Sequence, residues 1–149
     1  MMTKSNLPKH VILYADDDAD DLMLVQEALR NFTDNVEVVT MNSGEEAIDF
    51  LENLDAFEPA PCLIILDVNM PRLNGKETLL KIRNMERFEG LPVVLFTTST
   101  FPLDKSFAEK YKAGFITKPI DMRQMGKIAD QFVEHCTDEI KKNIQKKVR

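Results

Sequence analysis

The stretch "VILYADDDADD", Val11 to Asp21, is an apolar run that passes straight into acid: five of the six residues from Asp16 to Asp21 are aspartates. A short, continuous apolar run suits a parallel strand covered on both faces. Aspartate also favours helix starts, through capping and the positive end of the helix dipole, and Asp18, Asp20 and Asp21 are read that way. Asp16 and Asp17 come too early for that role, at the strand end itself. Their mutual repulsion calls for something cationic.

Further along, the same kind of run recurs at Cys62 to Leu66 and Val93 to Phe96, which predicts central strands. Val36 to Met41 is β-prone but more polar, and Gly114 to Thr117 is short and ends at Lys118-Pro119; both read as outer or shorter strands. Between these runs lie apolar residues at helical spacing: Leu22, Val25, Ala28, Leu29 and Phe32; then Ala47, Ile48, Leu51 and Leu54; then Leu79, Ile82 and Met85. Ser43 with Glu46, and Asp121 with Gln124, have capping-box spacing and mark two expected helix starts. "ENLDAFEPAPC" is the longest loop candidate, with Pro59 and Pro61 ending the second helix. Strand and helix alternate five times. The expected fold is therefore α/β and doubly wound: a five-stranded parallel sheet in the flavodoxin-like order 2-1-3-4-5, with helices on both faces.

Composition narrows the function. With 149 residues, 44% of them hydrophobic, the chain suits one domain with a real core. A formal charge of −6 argues against bulk nucleic-acid binding, which needs a basic face. "MMTKSNLPKH" lacks the apolar stretch of a signal peptide, and no window approaches a membrane span, so a cytoplasmic protein without membrane attachment is expected. Cys62 and Cys136 make no metal-ligand spacing and read as two reduced core thiols.

In an open parallel sheet, ligands bind beyond the carboxyl ends of the strands. The predicted strands end in Asp16 and Asp17, in Asp67, in Thr97 and Thr98, and in Lys118, all directed at one crevice. Two carboxylates about 5 Å apart repel by roughly 3 kcal/mol at an effective dielectric near 20. A hard divalent cation such as Mg²⁺ removes that cost while still accepting a phosphate oxygen, and Lys118 offers a second positive charge to the same anion.

"ILYADD", "LIILDVNMPRLNG", "PVVLFTTS" and "GFITKP" resemble, in order and spacing, the four signature blocks of response regulator receiver domains, over residues 9–135. The resemblance implies phosphoryl transfer from a sensor histidine kinase, or a histidine phosphotransfer protein, to Asp67. It implies that Asp16 and Asp17 hold Mg²⁺ together with Asp67 and the backbone carbonyl of Asn69, and that Thr97 and Lys118 each take a phosphoryl oxygen. An anionic nucleophile needs no general base, so neither His10 nor His135 is required. Phe115 stands where the family often has Tyr; Thr97 and Phe115 would form the switch. The implied function is a signalling switch that changes its affinity for protein partners, not an enzyme. A stand-alone receiver is expected, since no output domain follows. The alternative is a Mg²⁺-dependent phosphatase with an aspartate nucleophile, but those enzymes prefer an acid where this chain has Asn69. Finally, Ile128, Phe132, Cys136, Ile140 and Ile144 keep a spacing of four into the basic tail. Residues 136–149 are expected to continue the last helix, and the apolar row to support a homodimer.

Overall fold

The computed structural model describes residues 10–30, 36–121, 124–137 and 141. Strands β1 (His10–Ala15), β2 (Val36–Met41), β3 (Leu63–Leu66), β4 (Val93–Thr97) and β5 (Gly114–Thr117) alternate with helices α1 (Ala19–Leu29), α2 (Gly44–Glu52), α3 (Gly75–Arg83), α4 (Pro102–Lys110) and α5 (Met125–Glu134). All strand pairings are parallel, and the spatial order is β2-β1-β3-β4-β5, as expected from the alternation.

The period-two geometry of each strand divides the core in two. Ile12, Tyr14, Leu63, Ile65, Val94 and Phe96 face one side, where Val25 and Leu29 of α1 and Ile128 and Phe132 of α5 cover them. Leu13, Ala15, Ile64, Leu66, Val93 and Leu95 face the other, beneath Leu51 of α2, Leu79 and Ile82 of α3 and Ala108 of α4. Burial of each such side chain stabilises the fold by about 1.5–3 kcal/mol. Phe96 also meets Phe132 edge-on, with ring centroids 5.0 Å apart.

Local chemistry sets the helix ends. Asp18 caps α1, its side chain accepting from the Asp20 and Asp21 backbone N–H groups. Ser43 caps α2 and accepts from Glu46 N–H at 3.1 Å, while the Glu46 carboxylate reaches back to Asn42 N–H rather than to Ser43. Asn74 and Glu77 form a complete capping box at α3, which the sequence reading had not singled out. Pro102 opens α4, at a position where a missing N–H costs nothing. Residues 122–123, inside the box expected at Asp121, lie outside the described residues. Gln124 N–H bonds the Asp121 carbonyl at 3.0 Å, and α5 is described from Met125.

Two arginines hold connections whose carbonyls have no partner in a strand or helix. Arg83 donates to the carbonyls of Leu91, Tyr111 and Lys112 at the end of α4, where Lys112 has a positive φ of 58°. Arg87 donates to the Leu54, Asp55 and Glu58 carbonyls and so orders the long loop after α2.

The described part of the last helix turns its apolar face inward. Ile128, Phe132 and Cys136 are buried within the monomer's own core and so offer no exposed apolar surface themselves. Among the described residues α5 closes at Glu134, and Lys141 N–H bonds the Thr137 carbonyl at 2.9 Å. Phe32, Ile140 and Ile144 lie outside the described residues. Among the described residues, no helix is long and apolar enough to cross a membrane.

Gly75 sits where the β3–α3 connection folds back on itself. A Cβ there would lie 2.2 Å from the Asp67 carbonyl oxygen, which is backbone and cannot swing away. Gly126, on α5, has nothing within 4 Å of the same position. Gly75→Ala is expected to destabilise the protein by about 1–3 kcal/mol through overpacking. Gly126→Ala is expected to stabilise it by about 0.5–1 kcal/mol through helix propensity. Urea unfolding of the two variants beside the parent chain measures both.

Candidate functional site

Strands β1, β3, β4 and β5 end together, and their last residues meet in one crevice. Asp16 is fully buried and Asp67 is 5% exposed, while Asp17 is open to solvent. Each of these three carboxylates offers an oxygen within 4.8 Å of the others. Such a set of hard oxygen donors carrying surplus negative charge fits a divalent cation of the Mg²⁺ type.

Part of the repulsion is answered inside the protein. Lys118, whose side chain is only 10% exposed, places Nζ 2.8 Å from Asp16 Oδ2, 2.8 Å from Asp21 Oδ2 and 3.6 Å from Asp67 Oδ1. Burial alone would favour its neutral form, but the hydrogen-bonded carboxylates of Asp16 and Asp21 outweigh that and hold Lys118 protonated. Tyr14 lies two residues before Asp16, on the same side of β1, and its hydroxyl donates to Asp16 Oδ2 at 2.5 Å. Burial first, and then the Asp16 charge, keeps that phenol in its donor form. Asp18 N–H donates to Asp16 Oδ1 at 2.9 Å, so both Asp16 oxygens are engaged. Asp21 was read only as a helix-start residue, and Tyr14 only as part of an apolar strand. Tyr14 could have been suspected, as the one polar tip in that strand at spacing two from an aspartate. Nothing local betrays the Asp21 contact with Lys118.

Asp67 is buried with its charge only partly compensated. Burial, and then the Asp16 charge, push its carboxyl up to about 6, against the opposing pull of Lys118 and of the Asn69 backbone N–H. Thr97, fully buried at the end of β4, accepts from Ser99 N–H at 3.0 Å. The loop after Thr97 is tied down by a second polar network: Ser99 Oγ donates to Asp104 Oδ2, and Lys76 Nζ of α3 donates to Asp104 Oδ1 at 2.7 Å. The sequence reading missed this network. Lys76, and then Ser99, hold the Asp104 carboxyl below the usual carboxylate range. Asp17, Asn69, Lys76, Phe101 and Asp104 border an open cavity of about 630 Å³ beside the carboxylates.

Phe115 stands apart from this chemistry, half-buried on β5. By strand register it pairs with Leu95 while Thr97 pairs with Thr117, so Phe115 and Thr97 share one face of the sheet two positions apart. A second cavity, of about 410 Å³, opens between Phe115 and the Ser99–Pro102 segment. His10 begins β1, and His135 lies against Gly114 at the start of β5; both are at the opposite end of the sheet.

The upward shift at Asp67 has a sign that can be tested. With a chelator present, ionised Asp67 costs native stability above pH 6. As the pH falls from about 6 towards 4, the native state takes up a proton that the unfolded chain does not, and the cost disappears. Asp67→Asn should therefore stabilise the chelated protein at pH 7–8 by about 1–2 kcal/mol, with the gain vanishing near pH 4. Thermal unfolding of both proteins across this range checks it.

Comparison with known proteins agrees with this geometry. The response regulator receiver domain family matches residues 12–130. Response regulator Rcp1 of Synechocystis is 40% identical over 101 residues, covering 66% of this chain and 68% of Rcp1. The crystal structure of the phosphorylated cyanobacterial phytochrome response regulator RcpA superposes with a TM-score of 0.79 at 31% identity, covering 88% of this chain and 96% of RcpA. The Mn²⁺-bound form of Rcp1 superposes with a TM-score of 0.73 at 30% identity, covering 82% and 90%. The chain belongs to the response regulator receiver domains, the phosphorylation-activated signalling switches of two-component systems.

Proposed function

We propose that Asp67 is the phosphoacceptor of this receiver, within a domain spanning residues 9–135 that carries 136–149 as an extension. The observation that carries the reading is the meeting of Asp16, Asp17 and Asp67 within 4.8 Å, with the Lys118 ammonium 3.6 Å from Asp67. Asp16, Asp21 and Asp67 share the Lys118 ammonium, and Asp17 adds a further carboxylate beside Asp16 and Asp67, so the crevice retains negative charge that a cation would cancel. Asp16, Asp17, Asp67 and the Asn69 backbone carbonyl would hold Mg²⁺, which supplies charge neutralisation for the phosphoryl oxygens. The Mn²⁺-bound Rcp1 structure supports that assignment by similarity.

In the transfer, an Asp67 oxygen attacks phosphorus as the bond to the donor histidine nitrogen breaks, and that nitrogen leaves with the bonding pair. The protein's task is positioning and electrostatic stabilisation rather than proton abstraction. Lys118, already within 3.6 Å of Asp67, pairs with one phosphoryl oxygen. Thr97 uses its oxygen to accept from Ser99 and so keeps its own proton to donate to another. The donor is a sensor histidine kinase or a histidine phosphotransfer protein, and the chain acts in the cytoplasm alongside it. The chain is not a turnover enzyme; its own chemistry is limited to gaining and losing this phosphate. Asn69, an amide two residues after Asp67, offers no acid for a phosphatase cycle.

The switch reading joins Thr97 to Phe115. Their shared sheet face and the cavity beside Phe115 leave room for the ring to move when Thr97 is drawn towards a phosphate. The two ring positions bury different apolar area, which is the bistable element a switch requires. Phe101 and Leu103, at the start of α4, and Ile120, after β5, are exposed apolar side chains that a protein target or a second copy of the chain would cover.

Acetyl phosphate with Mg²⁺ is expected to add one acid-stable, hydroxylamine-sensitive phosphate, read by mass spectrometry. Asp67→Asn abolishes it, and Asp17→Asn slows it. Labelling that survives Asp67→Asn, or that proceeds without a divalent ion, would exclude this site. Phe115→Ala is expected to leave labelling intact while weakening the dependence of partner binding or self-association on beryllofluoride, an acyl-phosphate mimic. Equal loss of both properties would reduce Phe115 to a core residue.

A further inference from the structure

We propose, on the reading of Asp67 as phosphoacceptor, that Lys76 and Asp104 are positioning residues for phosphoryl transfer: their ion pair clamps the connection after Thr97 against the connection after Asp67. Lys76 is the second residue of α3 and follows Gly75, whose N–H bonds the Val68 carbonyl at 3.0 Å and where an added Cβ would strike the Asp67 carbonyl. Asp104, in the first turn of α4, accepts from Ser99 Oγ, and Ser99 N–H donates to Thr97 Oγ1 at 3.0 Å. The bond from Lys76 Nζ to Asp104 Oδ1, at 2.7 Å, joins the two series. The same ammonium lies 5.8 Å from the centre of the Phe107 ring, a second hold on α4. Contacts thus run unbroken from the backbone of Asp67 to the hydroxyl of Thr97.

An acid in the first turn of a helix suits the helix dipole, but that role asks only for a solvated carboxylate. Asp104 is 6% exposed, and both its oxygens are engaged. Exposed ion pairs hold geometry loosely, whereas breaking a buried pair strands a desolvated charge, so this one holds its two connections firmly. The firmness matters because Thr97 donates to a phosphoryl oxygen on Asp67, and a misplacement of about 1 Å can cost on the order of 100-fold in rate. Loss of the phosphate has the same requirement. A water oxygen attacks phosphorus, the bond from phosphorus to the Asp67 oxygen breaks, the carboxylate leaves with the bonding pair, and the water's proton passes to the released phosphate or to solvent. Both reactions develop charge on the same equatorial oxygens, so a loosened clamp slows gain and loss together.

The test uses the full chain. Lys76→Met alone strands the Asp104 charge, so the principal variant is Lys76→Met with Asp104→Asn, which leaves the net charge unchanged and keeps an acceptor for Ser99. With acetyl phosphate and Mg²⁺, both the labelling rate and the first-order loss of phosphate after donor removal are expected to fall about tenfold in the double variant. Lys76→Arg, which keeps the charge, is expected to retain most of both rates. Without phosphate, amide exchange at Ser99, followed by NMR, is expected to quicken in the double variant and not in Lys76→Arg. Slower labelling with unchanged loss would mean that Lys76 only attracts an anionic donor through the cavity it lines, and would overturn the proposal. Unchanged Ser99 exchange would overturn it as well, and so would a fall in labelling that merely tracks the unfolded fraction seen by circular dichroism. A parent chain that takes no label on Asp67 would remove the phosphoacceptor and the clamp's role with it, whereas a labelled parent with unaltered variants would remove the clamp alone.

Discussion

The Lys118 ammonium is the interaction around which the functional end of the molecule is built. It is almost buried, and one donor group holds carboxylates from just past β1, from α1 and from just past β3 at once: Asp16, Asp21 and Asp67. A buried charge is tolerated only when paired and hydrogen-bonded, and the reverse holds for Asp16, which Tyr14, Asp18 N–H and Lys118 surround. Removing the lysine would leave two buried carboxylates facing each other. Its presence still leaves the crevice short of positive charge, and that shortfall makes the site receptive to a metal.

The rest of the fold bears the cost of this arrangement. Charges in a low-dielectric crevice gain little net stability and often lose some. The two apolar layers on either face of the sheet must therefore supply the net stability, with β3 and β4 buried along their whole length. Stability is thus concentrated in the middle of the sheet, while the charged groups gather at the strand ends. The short β3 illustrates the division: Leu63 to Leu66 are all core, and the next residue is Asp67.

Two polar networks flank Thr97. On one side lies the Lys118 cluster; on the other, Lys76, Asp104 and Ser99 tie the loop after β4 to α3 and α4. Because Ser99 also donates its N–H to Thr97, any displacement of the Thr97 hydroxyl is felt directly by this second network. A phosphate-dependent change at the strand end can in this way reach α4 through hydrogen bonds rather than through the packed core, which deforms less readily.

What the sequence determined by itself was whatever depends on short-range pattern. Apolar runs marked the strands to within a residue or two, and alternation with helical spacing implied the parallel order. The polar residues ending each run, Asp16, Asp17, Asp67, Thr97 and Lys118, named the crevice because a doubly wound sheet must bring strand ends together. Tertiary structure alone decided which of these groups touch. Asp21 meets Lys118 across a separation of 97 residues, and Lys76 meets Asp104 across 28; no local periodicity encodes such contacts. The same limit explains the last helix. Spacing four showed that Ile128, Phe132 and Cys136 lie on one face, but only packing against α1 and the sheet showed that this face is already covered. Pattern specifies which face is apolar; what covers it depends on which distant segments the chain folds against.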